Sequence, residues 1–171
     1  MKVLNLYAGI GGNRKLWNNV EVTAIELNPE IAKIYQDYFP NDNVIVSNAH
    51  DYLLNHYKEY DFIWASPPCQ SHSKFRKNVG CNITEGARSC NPIYPDLMLY
   101  QEIIFLQHYF KGKYVIENVK AFYDPLIKPQ ELSRHWFWSN FIIPKKYFNS
   151  SLNISTSQTK NFGFDLSKYS I

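Results

Sequence analysis

Short apolar runs recur along the chain, and the period within each run sets its element. KVLNLY (2–7) is apolar and leads into Ala8-Gly9-Ile10-Gly11-Gly12, so it reads as a buried strand entering a tight turn. The same logic makes strands of EVTAIE (21–26), NVIV (43–46), DFIWAS (61–66) and KYVIENV (113–119). NRKLWNNV (13–20) is predicted as a helix after the glycine turn. PEIAKIYQDYF (29–39) places apolar residues at helical spacing, with Pro29 suited to a first helical position. AHDYLLNHY (49–57) is a further helix, and PDLMLYQEIIFLQHYF (95–110) has the strongest helical pattern in the chain. HWFWSNFII (135–143) reads as two short strands in a hairpin around Ser139-Asn140. The stretch 67–92 has no clear period and is expected to be a long loop.

Strand and helix alternate four times before the final hairpin. That order predicts an α/β fold: a mostly parallel twisted sheet with helices on both faces and an antiparallel hairpin at one edge. Ligands of such sheets bind beyond the carboxyl ends of the strands. The glycine turn, Glu26, SPPCQ (66–70) and ENV (117–119) all fall at such ends, so they should converge on one rim.

Composition narrows the class. The 171 residues, 45% hydrophobic and 19% charged, suit one globular domain with a real core. No apolar stretch reaches the length of a membrane span, and MKVLNLYAGIGG is a poor signal peptide. Three cysteines make no disulfide framework, so a reducing, cytoplasmic setting is expected, with no membrane partner. Cys81 and Cys90, even with His72 nearby, fit no common zinc spacing, and no metal is expected. The net charge of +3 is concentrated: between Ser66 and Pro92, Lys74, Arg76, Lys77 and Arg88 stand against Glu85 alone. A patch of that sign favours a polyanion.

Candidate chemistry sits on the predicted rim. A glycine turn lets the backbone approach a ligand closely, and the free N–H groups of a helix start beyond it suit a carboxylate or phosphate. The turn alone would serve a dinucleotide, a phosphate or the methionine end of S-adenosylmethionine, and Glu26 is placed to take ribose hydroxyls. In SPPC, two prolines stiffen the chain before Cys69. Methyltransferases acting on amino groups carry a similar S/N/D-P-P motif followed by an aromatic residue that stacks on the base. A thiol cannot stack, but as thiolate it is a strong nucleophile, which points to covalent catalysis. Glu117 in VIENV lies on the same rim and is the candidate proton donor or hydrogen-bond partner.

The blocks NLYAGIGG, IELNPE, SPPCQSHS, LYQEIIFL, VIENV and PQELSRHWFWSNF run in this order from residue 3 to about residue 143. In them the chain resembles the cytosine-C5 DNA methyltransferase family, in a short form lacking the usual C-terminal target-recognition region. The resemblance implies a Rossmann-like methyltransferase fold. Its catalytic S-adenosylmethionine-dependent domain would span 1–143, with 144–171 a polar tail, incomplete relative to the family. It implies Cys69 as nucleophile toward carbon-6 of a flipped-out cytosine and Glu117 as partner of N3, with Asn118 bracing Glu117. Arg134 would touch the cytosine and position the catalytic loop, while Leu132 stands where the family has a second arginine. S-adenosylmethionine would be lined by Tyr7, Ala8, Gly9, Ile10, Gly11 and Gly12, with Glu26 at its ribose and Leu27 at its adenine face. Asn48, with Asp51 as a rival, would serve its adenine amino group, and Pro67 and Leu99 would stand near its methionine end. S-adenosylhomocysteine would be the product. The implied partner is double-stranded DNA, with a second polypeptide or a homodimer partner to complete the site. Two other readings stay open: a cofactor- or DNA-binding subunit inactive alone, and a tRNA cytosine-5 methyltransferase.

Overall fold

The computed structural model describes residues 1–74 and 93–144, the backbone of Asn82–Thr84 and Ala87–Ser89, and residues 166 and 169. Five parallel strands form most of one sheet: β1 (Lys2–Leu6), β2 (Glu21–Glu26), β3 (Asn43–Val46), β4 (Phe62–Ala65) and β7 (Lys113–Val119). A short ribbon, β5 (Asn82–Thr84) with β6 (Ala87–Ser89), lies apart within the long connection after β4. Two antiparallel strands, β8 (Gln130–Leu132) and β9 (His135–Ser139), finish the main sheet, whose order is β3-β2-β1-β4-β7-β9-β8. The chain winds outward from β1 through β2 to β3, then returns to the other side of β1 for β4 and β7. The crevice at that reversal, between the carboxyl ends of β1 and β4, is where such sheets bind ligands.

Both faces are covered, as the apolar strand runs require. On one face, α2 (Ala49–His56) and α3 (Met98–Tyr109) pack Leu53, Ile103 and Leu106 against Leu6, Ile63 and Ile116. On the other, α1 (Pro29–Tyr38) brings Tyr35 against Ala8 and Ala24, with Phe39 and Val44 beside them. α1 starts where the sequence places it: the Asn28 side chain accepts from the Glu30 and Ile31 N–H groups, and Pro29 follows at the first helical position. Among the described residues no helix is long and apolar enough to cross a membrane.

Two elements differ from expectation. The helix predicted over 13–20 is only a 3-10 turn, Arg14–Leu16, and no residue of it is buried. A helix gains most of its stability by burying an apolar face, and this segment has none to bury. Arg14 instead leaves the turn to grip Asp42, Nε to Oδ2 at 2.7 Å and Nη2 to Oδ1 at 2.9 Å. Tyr35 Oη donates to the same carboxylate at 2.9 Å. The edge hairpin is present, but its turn is at Ser133-Arg134 rather than Ser139-Asn140. Ser133 adopts the left-handed conformation there, φ 53°. Asn140 lies beside the start of β7, donating to the Gly112 carbonyl at 2.8 Å and accepting from the Tyr114 N–H at 3.3 Å. Arg76, Lys77, Cys81, Cys90, the side chain of Arg88 and nearly all of the tail fall outside the described residues.

Gly112 opens β7 at the end of the sheet opposite the rim, against Asp61. A Cβ there would stand 2.4 Å from the Asp61 carbonyl oxygen and 2.5 Å from the Phe110 ring. Gly112→Ala is therefore expected to lower stability by about 1–3 kcal/mol, the usual range for overpacking, read as a fall in the urea midpoint with an unchanged slope.

Candidate active site

The parallel pairing of β4 with β7 sets Ala65 beside Ile116, so the chain leaves both strands at one edge. Ser66-Pro67-Pro68-Cys69 leaves β4, and Glu117 and Asn118 lie just beyond the part of β7 that pairs with β4. A single buried amide ties the two segments. Asn118 Nδ2 donates to the Pro67 carbonyl at 3.0 Å, and its Oδ1 accepts from the Val119 N–H at 2.9 Å. Asn118 is only 2% exposed. Beyond the prolines, the Cys69 carbonyl accepts from the His72 and Ser73 N–H groups at 3.0 and 2.9 Å, which winds the chain into a tight turn. The thiol is free and partly accessible. His72 is buried, its Nδ1 2.6 Å from Tyr123 Oη, and burial pushes its pKa down, so it stands neutral. The Phe122 N–H donates to the His72 carbonyl at 3.1 Å, tying this turn to the segment after β7.

The glycine turn occupies the neighbouring strand end. Gly9 and Gly11 take positive φ values of 55° and 86°. A Cβ at Gly9 or Gly12 would meet nothing within 4 Å, so that face of the turn is an open cradle. Glu26 reaches it: Oε2 accepts from the Gly9 N–H at 2.9 Å, and Oε1 accepts from the Asn28 N–H at 3.0 Å. Leu27 follows, exposed. Ala8 is buried, and its N–H donates to the Ile25 carbonyl at 3.0 Å. Asn48 caps α2, its Oδ1 accepting from the His50 and Asp51 N–H groups at 2.9 and 3.2 Å. The oxygen expected to serve an adenine is thus committed to the helix, which leaves the amide NH2 for a ligand. Leu99 is buried in the first turn of α3.

The structure adds residues that the sequence reading passed over. Glu102, 1% exposed, sits on α3 beneath the glycine turn. Its Oε1 accepts from Tyr7 Oη and lies 3.1 Å from His50 Nδ1 on α2. Tyr7 itself holds a left-handed backbone, φ 56°, at the start of the turn. One carboxyl therefore joins the three elements that ring the cradle. Burial pushes the Glu102 pKa up, and the Tyr7 and His50 hydrogen bonds oppose that in part. Burial also drives the Tyr7 hydroxyl far above its ordinary value, with the Glu102 charge adding to it. The signal was present in LYQEIIFL, where one carboxylate interrupts an apolar helix.

The partner of Glu117 is the other addition. Glu117 is opposite Phe137, and Val119 is opposite His135, so these four side chains share one face of the β7–β9 ladder. His135 Nε2 lies 3.4 Å from Glu117 Oε1. Arg134 is exposed in the turn before β9. Its carbonyl accepts from the Lys120 N–H at 3.2 Å, and its guanidinium forms no ion pair among the described residues. The structure thus brings Glu117 together with His135 and leaves Arg134 at the mouth of the rim.

Two measurements check this arrangement. Asn118→Ala strands the Pro67 carbonyl and is expected to cost about 1–3 kcal/mol and to raise the alkylation rate of Cys69 as its loop loosens. Glu102, whose folded pKa is raised, favours folding most at low pH, and its contribution falls as pH rises from 4.5 through the raised value. The stability of the wild type relative to Glu102→Gln should therefore fall as pH rises above 4.5 in urea melts.

A sequence model of the family described as C-5 cytosine-specific DNA methylase matches residues 1–129. A tRNA (cytosine(38)-C(5))-methyltransferase from Spodoptera frugiperda is 31% identical over 88 residues, a stretch that is 47% of this chain and 26% of that protein's length. The crystal structure of a Spodoptera frugiperda DNMT2 triple mutant aligns over 71% of this chain and 36% of its own, with 26% identity and a TM-score of 0.49. The structure of a hypothetical protein from Thermus thermophilus aligns over 81% of this chain and 73% of its own, at 13% identity and a TM-score of 0.51, a likeness of fold alone. The order of strands, the rim they build and the family match over residues 1–129 agree, and the chain belongs to the C-5 cytosine-specific DNA methylase family.

Proposed function

We propose that this chain methylates carbon-5 of a flipped-out cytosine in double-stranded DNA, with Cys69 as covalent nucleophile and S-adenosylmethionine as methyl donor. The observation that carries the reading is the Asn118 tether, which holds the Cys69 loop against the strand bearing Glu117 at 3.0 Å. The open cradle at Gly9 and Gly12, with Glu26 beside it, fits an adenosyl amino acid: backbone approach at the turn, a carboxylate for ribose hydroxyls, and Leu27 for an adenine face. Tyr7, Ala8, Ile10, Gly11, Asn48, Pro67 and Leu99 complete the proposed lining. When bound, S-adenosylmethionine supplies an electrophilic methyl group on a sulfonium centre.

Carbon-5 of cytosine is a weak nucleophile. The Cys69 thiolate adds to carbon-6, a C–S bond forms as the C5–C6 double bond opens, and electron density gathers at carbon-5. Glu117 meets the charge that develops on the ring by donating a proton to N3. Once carbon-5 is substituted, N3 returns its proton to Glu117, and loss of the carbon-5 proton with expulsion of the thiolate restores the ring. Arg134, at the mouth of the rim, is placed to meet the cytosine or the phosphate chain. Lys74 begins a basic stretch suited to a polyanion.

A tRNA substrate is the second reading, favoured by the 31% identity to the tRNA (cytosine(38)-C(5))-methyltransferase. Competition between duplex DNA and tRNA for methyl transfer separates the two. Purified chain with S-adenosylmethionine and DNA carrying 5-fluorocytosine is expected to form a denaturation-resistant adduct. Cys69→Ala should form none. A normal adduct from the alanine variant would overturn the nucleophile assignment.

A further inference from the structure

We propose that Glu102 is a positioning residue for the cofactor: through Tyr7 and His50 it holds the glycine turn and the start of α2 in the arrangement that receives S-adenosylmethionine. The inference rests on the cofactor reading proposed above and adds to it a residue outside the proposed lining.

The geometry has one oxygen at its centre. Glu102 lies one turn along α3 from Leu99 and is sealed from solvent, so its effect on a ligand passes through other residues. Its Oε1 accepts from Tyr7 Oη and meets His50 Nδ1 at 3.1 Å. Tyr7 opens the glycine turn with φ 56°, a conformation that a bulky side chain holds only when its surroundings enforce it. The Tyr7 hydroxyl is the handle by which α3 enforces it. His50 carries the tie to α2. Its ring meets Glu102, while its backbone N–H donates to Asn48 Oδ1 at 2.9 Å. That second bond turns the Asn48 oxygen into the helix and leaves its NH2 group for a ligand. Three parts of the proposed lining, the glycine turn, Asn48 and Leu99, thus stand on three elements that meet at one carboxyl.

Stability does not account for this carboxyl. Its Oε2 is buried with no hydrogen-bond partner among the described residues. Burial disfavours its charged form and pushes its pKa up. Apolar side chains of similar volume often replace buried ionisable groups with no loss of stability. A polar group kept in a core against that cost calls for another explanation. Geometry supplies one. A turn held in its binding conformation beforehand need not be ordered when the ligand arrives, and affinity rises accordingly.

The test measures the affinity of the full chain for S-adenosylhomocysteine by calorimetry. Urea melts of the ligand-free proteins come first, so that only folded variants are compared. Glu102→Met keeps roughly the same volume and removes the acceptor, whereas Glu102→Gln keeps an acceptor oxygen for Tyr7. The methionine variant is expected to bind about tenfold more weakly, the scale of one lost hydrogen bond, and the glutamine variant to stay within about twofold of the wild type. Tyr7→Phe removes the donor of the same bond and should also weaken binding about tenfold. In the double variant Tyr7→Phe/Glu102→Met the two losses should not add, because both remove one interaction. Where Glu102→Met does not fold, Tyr7→Phe against wild type decides by the same expectation. A folded methionine variant or a Tyr7→Phe variant that binds as tightly as the wild type overturns the role of Glu102 alone. A glutamine variant as weak as the methionine variant, or losses that add in the double variant, overturns it too. A wild type that binds no S-adenosylhomocysteine overturns the cofactor reading as well.

Discussion

One buried amide holds the candidate site together. Asn118 lies at the end of β7 with almost no access to water, so its donor and acceptor must both be satisfied within the protein. It meets that demand by joining the Pro67 carbonyl to its own strand end. The two prolines cannot donate N–H groups to a sheet, so between Ser66 and Cys69 the Asn118 amide is what ties the chain to β7. Beyond Cys69 the Phe122 N–H to His72 carbonyl bond and the bridge of Ser73 with Ala121 continue that tie. The position of Glu117 follows, because it precedes Asn118 on the same strand and points to the opposite face.

Around the neighbouring strand end, two carboxylates divide the work by depth. Glu26 sits at the surface of the glycine turn and accepts the Gly9 and Asn28 N–H groups. Glu102 sits beneath it, where burial disfavours charge, and serves as the joint between Tyr7, α2 and α3. Tyr7 holds a left-handed backbone that a bulky residue adopts at a cost of roughly 1–3 kcal/mol. The buried hydroxyl–carboxylate bond offsets that cost. A second anchor lies on the far side of the turn, where Arg14 grips Asp42 through Nε and Nη2 and holds the end of the turn to the α1–β3 connection.

The edge hairpin carries chemistry as well as closure. Along β9 the tryptophans at 136 and 138 point into the core, and the alternate positions His135 and Phe137 face the side that bears Glu117. The same period-two rule that buries the aromatic pair therefore delivers an imidazole to the candidate acid. A slip of one residue in that register would bury His135 and expose a tryptophan, so the core packing of the hairpin also specifies the partner of Glu117.

Local pattern was enough to read the alternation of strands and helices, the parallel sheet, the glycine turn and the placing of Cys69 and Glu117 at strand ends, because each depends on neighbours within a few residues. Three features were beyond it. The segment 13–20 has helical composition, yet Arg14 commits its side chain to Asp42, a partner 28 positions away. The hairpin turn at Ser133 depends on β9 pairing with β7 as well as with β8, which decides how far the strand runs. Glu102 and His135 acquire their partners only through contacts made across packed helices and paired strands, and no spacing in the chain names those partners. Local pattern therefore says which chemical groups stand at the ends of strands. Which of those groups touch is set by packing, because register and burial, not order along the chain, bring a side chain within bonding distance of its partner.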